Sequence, residues 1–388
     1  MTKGGRRLVS QITIWHVAAS ICYYAVYAGT PFFRDTFSLS GTTVGFVITA
    51  LTLGYAVFLL PIGVLTDRFG EHRTLTIGLV GLAVGAVLIA VAPTYGLLLV
   101  AAFLLGSMYG TATPGTNKAI FDNVEPAWQH RAIGIKQIGP TIGSAISAVL
   151  VTGLVGVAVW QTGFLVAAAV GVAVAAFFYL TYSGTSGAAA TYPDFRGLAT
   201  NRSYLLLTAA GICIGAGFYT TTGYTILYVE ESVGATVATG GIVLAMVQMS
   251  SSVGKIVAGW FADTLPGNSR GTTLSILLVQ TFGGGVLFFV VPVIETPFGA
   301  GIVFSVLGVF ALGSTGLYYS CLSTVVANDE IGAASAAGQL AATVGGLFAP
   351  PVFGYLIDTV GYNAGWLFLG GLSFLATVIV AGVVVTYR

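Results

Sequence analysis

The sequence predicts an all-α membrane protein of twelve transmembrane helices, arranged as two pseudo-symmetric six-helix bundles. Three observations carry this. Composition is the first: 56% hydrophobic residues against 7% charged, with a mean hydropathy of +0.93, cannot cover a water-soluble surface, where about a quarter of residues are charged. The second is a succession of apolar runs of about 20 residues, each long enough to cross a bilayer. The third is internal repetition, with landmarks of the first half recurring in the second. Glycine, at 54 of 388 residues, is about twice its usual share and suits helices that approach closely through small residues.

In chain order, the spans cover residues 9–31, 41–66, 74–92, 95–120, 131–156, 159–182, 203–229, 235–262, 272–293, 298–324, 332–357 and 363–387. The first is too long for the apolar core of a cleaved signal peptide, so Lys3, Arg6 and Arg7 are expected to precede a retained helix. The one stretch without a strong apolar run, Ser183 to Arg202, carries Gly, Ser, Thr, Pro and charge and is expected to be a cytoplasmic linker. It divides the chain into bundles at 1–182 and 203–388. Short loops rich in Lys and Arg stay in the cytoplasm. Arg68, Arg73, Arg131, Arg196, Arg202 and Arg270 all fall in even-numbered connections, whereas the other face has Arg34 beside Glu230, Glu231 and Glu295. The expectation is a multi-pass protein of the plasma membrane with both termini cytoplasmic.

Charge and cysteine narrow the function classes. With 14 basic and 13 acidic residues the net charge is +1, which implies no nucleic-acid partner. Cys22, Cys213 and Cys321 lie far apart in apolar runs and read as small core residues. His16, His72 and His130 show no metal-ligand spacing, and no nucleophile and base stand together, so neither a metal, a cofactor nor an enzymatic activity is implied.

The repeats are specific. After the second span the chain reads Gly63-Val-Leu-Thr-Asp67-Arg68-Phe-Gly70-Glu-His-Arg73, and after the eighth Gly259-Trp-Phe-Ala-Asp263, continuing to Arg270. The fifth span, Gln137-Ile-Gly-Pro-Thr141-Ile-Gly143, lies over the eleventh, Gln339-Leu-Ala-Ala-Thr343-Val-Gly345. Such repeats suit a transporter whose halves rock about a site near the midplane. Gly63 to Arg73 resembles the loop signature of the major facilitator superfamily, with a degenerate copy at Gly259 to Asp263, and the match runs through essentially the whole chain. The resemblance implies the twelve-helix facilitator fold. It also implies that Asp67, Arg68, Arg73 and Asp263 serve a cytoplasmic gate, through charged hydrogen bonds made and broken as the halves rock.

Buried charge points to the solute. A charge at the bilayer centre costs at least about 2.5 to 3.5 kcal/mol and usually faces a cavity. Lys136 lies five residues past Arg131, and Lys255 eight residues before Asp263, while Lys118 is shallower and every acid sits at or near a predicted helix end. The interior field is therefore positive. Gln248, Ser252, Lys255 and Gly259 share one helix face, and Lys136, Pro140, Gly143 and Ser147 another. His16, Ser20, Tyr23 or Tyr24, and Tyr27 line the first span; Tyr109, Asn117, Tyr224 and Tyr319 add hydroxyl, amide and aromatic groups. The candidate substrate site is Lys255, Lys136, Tyr27, Tyr24, Tyr109, Asn117, Tyr224, Gln248 and Tyr319.

Two finer resemblances agree with an anion. Gly254-Lys255-Ile-Val-Ala-Gly259-Trp260 is similar to the oxalate/formate exchanger and monocarboxylate transporter groups, which place an arginine where Lys255 stands; Gly134-Ile-Lys136-Gln137 resembles the cyanate-permease group. The choice between these groups stays open. Gly139-Pro140-Thr-Ile-Gly143-Ser144 is also similar to drug/proton antiporters, although Leu104 to Gly110 lacks their arginine and no deep carboxylate is present, so proton-coupled multidrug efflux stands as the alternative, ahead of a transporter-derived sensor or an intramembrane enzyme. The expectation is a monomeric secondary transporter that moves a small anion (monocarboxylate, dicarboxylate or cyanate-like) by alternating access, with a proton as a candidate co-substrate and lipid as its surroundings.

Overall fold

A computed structural model describes residues 2–154, 158–184, 195, 197–265, 269–327 and 330–386. Among these residues the regular structure is entirely helical. The helices are α1 (Lys3–Ala28), α2 (Thr30–Phe37), α3 (Gly41–Phe69), α4 (Glu71–Ala90), α5 (Tyr95–Tyr109), α6 (Ala112–Asn123), α7 (Pro126–Lys136) and α8 (Ile138–Gly153). They continue as α9 (Gln161–Thr181), α10 (Arg202–Glu231), α11 (Val237–Thr264), α12 (Ser269–Val290), α13 (Pro297–Leu307), α14 (Ser314–Thr324), α15 (Ile331–Thr359) and α16 (Tyr362–Thr386). Eleven are long and apolar enough to span a membrane once collinear pieces are joined, or twelve when α1 and α2, bent by 45°, count as one. This is the architecture expected from the apolar runs.

The ends follow local chemistry. Thr94, Thr236, Thr296 and Asn201 each precede a helix and accept a backbone N–H from its first turn, satisfying one of the four donors a helix start leaves open. Thr2 does the same for α1, accepting from Gly5 N at 3.1 Å. That cap moves the helix start upstream, so Lys3, Arg6 and Arg7 lie in the first turns of α1 and do not precede it. The expected linker from Ser183 to Arg202 falls largely outside the described residues, Arg196 included.

Interruptions are also explicable. Pro140 offers no N–H to the Lys136 carbonyl four residues back, and the fifth span breaks at Gln137 into α7 and α8. The tenth span contains a π turn, Gly308–Leu312, between α13 and α14. Inside α15, Pro351 cannot donate to the carbonyl of Leu347; the Thr49 hydroxyl donates to it instead, at 2.7 Å. In hydrocarbon such a replacement is needed wherever a helix bond is lost.

Contacts divide the chain into two units, the first comprising residues 1–32 and 50–192, the second 33–49 and 193–388. In the first, α1 packs on α8; in the second, α10 packs on α15. The repeated fifth and eleventh spans explain both crossings. A Cβ on Gly143 would stand 2.6 Å from Ser20 Cβ of α1, and one on Gly345 would stand 2.5 Å from Ala216 N of α10. Bare backbone is what lets each pair of helices touch. Large apolar side chains such as Ile77, Val172 and Val378 remain exposed, as expected of surfaces that meet lipid chains.

Candidate functional site

In the first unit, the centre of interest is Lys136, the last residue of α7. It is 2% exposed. Its ammonium donates to Thr116 Oγ1 and to Asn117 Oδ1, both at 2.6 Å and both on α6. Among the described residues no carboxylate pairs with it. Lys118, one residue further along α6, points elsewhere and is bound to Asp122 at 2.8 Å. Thr116 was not singled out by sequence, although it adjoins Asn117.

An aromatic cluster joins α1, α3 and α5 in the same unit. Tyr109 stacks on Tyr23 with centroids 4.0 Å apart and 16° between planes, and Tyr55 closes on it at 5.9 Å. Ser20 Oγ and Tyr109 Oη share a hydrogen bond of 3.0 Å. Tyr24 and Tyr27 lie 5.6 Å apart, with Tyr27 fully buried. His16 is buried beside Tyr109 at 6.4 Å, and its Nδ1 has no hydrogen-bond partner among the described residues. The structure thus brings Tyr23, Tyr24, Tyr27 and Tyr109 together, with Tyr55 as a member that sequence did not single out.

The second unit houses Lys255 differently. It stands in the middle of α11, partly buried, and among the described residues its ammonium makes no hydrogen bond or ion pair. Gln248, two turns earlier, is buried and donates weakly to Thr222 Oγ1 at 3.5 Å. On α14, Tyr319 donates to Gln339 Oε1 of α15 at 2.6 Å, the glutamine of the eleventh-span repeat. Tyr224 is sited elsewhere: it is fully buried, and its hydroxyl lies 2.7 Å from Gly41 O and 3.0 Å from Pro350 O. That phenol serves backbone carbonyls of α3 and α15, a use that only the tertiary arrangement reveals.

Charge at helix ends forms two further clusters. In the loop after α3, Gly70 has φ +83°, a left-handed conformation that favours glycine. Asp67 is partly buried and has no hydrogen bond or ion pair among the described residues, while Arg68 lies 5.4 Å over the Phe69 ring. Arg73 and Asp263 are exposed. Glu71, fully buried at the start of α4, accepts from Tyr182 Oη at 3.0 Å; burial and this carboxylate push the Tyr182 phenol up. At the other end of α3, Asp358 of α15 accepts from Gly41 N at 2.7 Å, Thr42 N at 2.9 Å and Thr42 Oγ1 at 2.7 Å. Glu231 pairs with Arg34 at 2.9 Å and accepts from Tyr362 Oη at 2.9 Å. Residues 33–49 are therefore strapped into the second unit by charge as well as by packing.

The chain is similar over residues 12–350 to a family model described as Major Facilitator Superfamily. Among curated proteins, it is 24% identical to a hexuronate transporter of Bacillus subtilis, with 92% of this chain and 89% of that protein aligned. It is 25% identical to a probable sulfoacetate transporter, SauU, of Cupriavidus necator, over 89% of this chain and 86% of the other. Among solved structures, a bacterial homolog of the human lysosomal transporter Spinster, inward-facing and occupied, superposes with a TM-score of 0.81 at 15% identity, covering 99% of this chain and 97% of that one.

Proposed function

The chain belongs to the major facilitator superfamily, a family of membrane transporters and not enzymes, and on that premise we propose that this secondary transporter moves a small organic anion across the plasma membrane. The observation that carries the proposal is Lys255, a positive charge held within a membrane span with no counter-ion or hydrogen bond among the described residues. A charge so placed is costly. An anion that enters with it restores neutrality and supplies the missing acceptor. Lys136 offers a second positive charge, in the first unit, with Asn117 as its neighbour. Tyr24, Tyr27 and Tyr109 there, and Gln248 and Tyr319 in the second unit, add hydroxyl, amide and ring surface for a carbon skeleton. The relatives named for hexuronate and sulfoacetate both handle organic acids, which supports the same reading over drug efflux.

The distribution of Lys and Arg supports cytoplasmic termini. With that orientation, Asp67, Arg68, Arg73 and Asp263 lie at the cytoplasmic ends of α3, α4 and α11, where charged hydrogen bonds can form and break during alternating access. A thermal-shift screen of the purified protein tests the proposal, because selective binding raises the melting temperature by mass action. Carboxylates and sulfonates, glucuronate and sulfoacetate among them, are expected to stabilise it. Stabilisation by lipophilic cations alone would return the protein to the efflux class.

A further inference from the structure

We infer that Gly316 is a positioning residue for Lys255: bare backbone on α14 is the bed on which the lysine stem lies, and it fixes where the ammonium is presented. The inference rests on the reading of Lys255 as the anion's partner, but the lysine's position is measurable without any anion. A Cβ placed on Gly316 would stand 2.9 Å from Lys255 Cγ, 3.2 Å from its Cβ and 3.6 Å from its Cδ. Three successive stem carbons thus run across the site where any other residue carries its side chain. The shortest of these distances is tighter than real carbon contacts allow, so even alanine requires something to move.

Parting the helices to make room would forfeit close backbone packing. Immediately beside Lys255, Gly254 is seated on the π turn, where an added Cβ would lie 2.8 Å from Val309 Cα. Gly313, on the far side of the turn, comes as close to Gly254 Cα as 3.3 Å by the same measure. The Val309 carbonyl is in turn held by Gln280 Nε2 of α12 at 3.3 Å. With the backbones packed together there, the part that moves at least cost is the flexible lysine side chain. A side chain at position 316 would drive it into another staggered rotamer and carry the ammonium away from its present place. No polar group among the described residues ties that ammonium down, so the apolar bed is what sets its direction.

The chain has four lysines, Lys3, Lys118, Lys136 and Lys255, few enough for each to be followed by NMR after reductive ¹³C-methylation, with the Lys255 signal assigned by its loss in Lys255→Arg. Gly316→Ala is expected to shift the Lys255 signal in protein free of anion. It is also expected to weaken glucuronate or sulfoacetate binding about tenfold in the wild-type background and not at all in a Lys255→Gln background. An unmoved Lys255 signal, or equal weakening in both backgrounds, overturns the inference. A moved signal in Gly316→Ala, together with Lys255→Gln alone binding the anion as tightly as wild type, leaves the positioning intact and defeats the anion reading instead. If Gly316→Ala is too unstable to purify, Lys255→Ala should rescue it by clearing the stem; failure of that rescue overturns the inference as well.

Discussion

Lys136 and Lys255 are both set within membrane spans, and they are kept in opposite ways. Lys136 is sealed, with two neutral oxygens of α6 at 2.6 Å holding its ammonium. Lys255 is partly exposed and leans on a glycine, with no polar partner among the described residues. An anion that pairs with Lys255 displaces no hydrogen-bond or ion-pair partner among the described residues. One that pairs with Lys136 must either share it with Thr116 and Asn117 or pull it from them, at about 1.5 to 3 kcal/mol for each hydrogen bond to a charged group. Under the proposed function, we expect affinity to come chiefly from the second unit, and stability of the α6–α7 contact from the first.

The comparison breaks most readily at Lys255. Lys255→Gln should remove a charge-assisted bond to the anion, about 1.5 to 3 kcal/mol or roughly 10- to 150-fold in affinity, while the melting temperature of the empty protein holds or rises because an uncompensated charge has been removed. Calorimetric titration with the anion that the screen selects reads the first, and differential scanning the second. An equal fall in both would mean that Lys255 is a packing residue. Lys136→Ala should show the reverse emphasis: a melting temperature several degrees lower, from loss of two hydrogen bonds and of the buried stem, whatever its effect on binding.

Finer substitutions sharpen the contrast. Thr116→Val removes one acceptor from Lys136 and keeps the shape of the side chain, so the ammonium becomes easier to recruit. Affinity should stay level or tighten by up to about tenfold, and a marked loss would show that Thr116 itself contacts the solute. Asp67→Asn should have the smallest effect on binding, within a few-fold, while slowing uptake into proteoliposomes. Parallel loss of binding and turnover in that variant would take Asp67 out of the gate and into folding or the site.

Much of this was legible because hydropathy and helix period are local signals. The spans could be read from about 20 residues at a time, the recurrence of Gly143 as Gly345 from laying one half over the other, and the two deep lysines from their spacing to Arg131 and Asp263; that these glycines seat α1 and α10 could not, because Ser20 and Ala216 lie more than 120 residues away. What escaped depends on residues distant in sequence. The carbonyls that Tyr224 serves belong to Gly41 and Pro350, 183 and 126 residues away, so nothing near Tyr224 distinguishes it from a tyrosine that faces solute. Gly316 under Lys255 was equally hidden, since one glycine among 54 carries no mark of what lies across from it. The π turn in the tenth span interrupts a run that remains apolar on both sides of it. Hydropathy is blind to such breaks.

Membership by contact and order along the gene do not coincide at residues 33–49, which are encoded in the first half but held by Asp358, Glu231 and Tyr224 in the second. Repeated halves invite the idea that an ancestral six-helix segment was duplicated and that each copy still suffices for its own folding. Cutting the chain within 183–202 would test that idea against the strap. The C-terminal fragment would be made without the amides that Asp358 caps, without the arginine that neutralises Glu231 and without the Thr49 hydroxyl that serves Leu347. It would accumulate only when its complement is supplied in the same membrane, so the two fragments would behave as obligate partners rather than as independent modules.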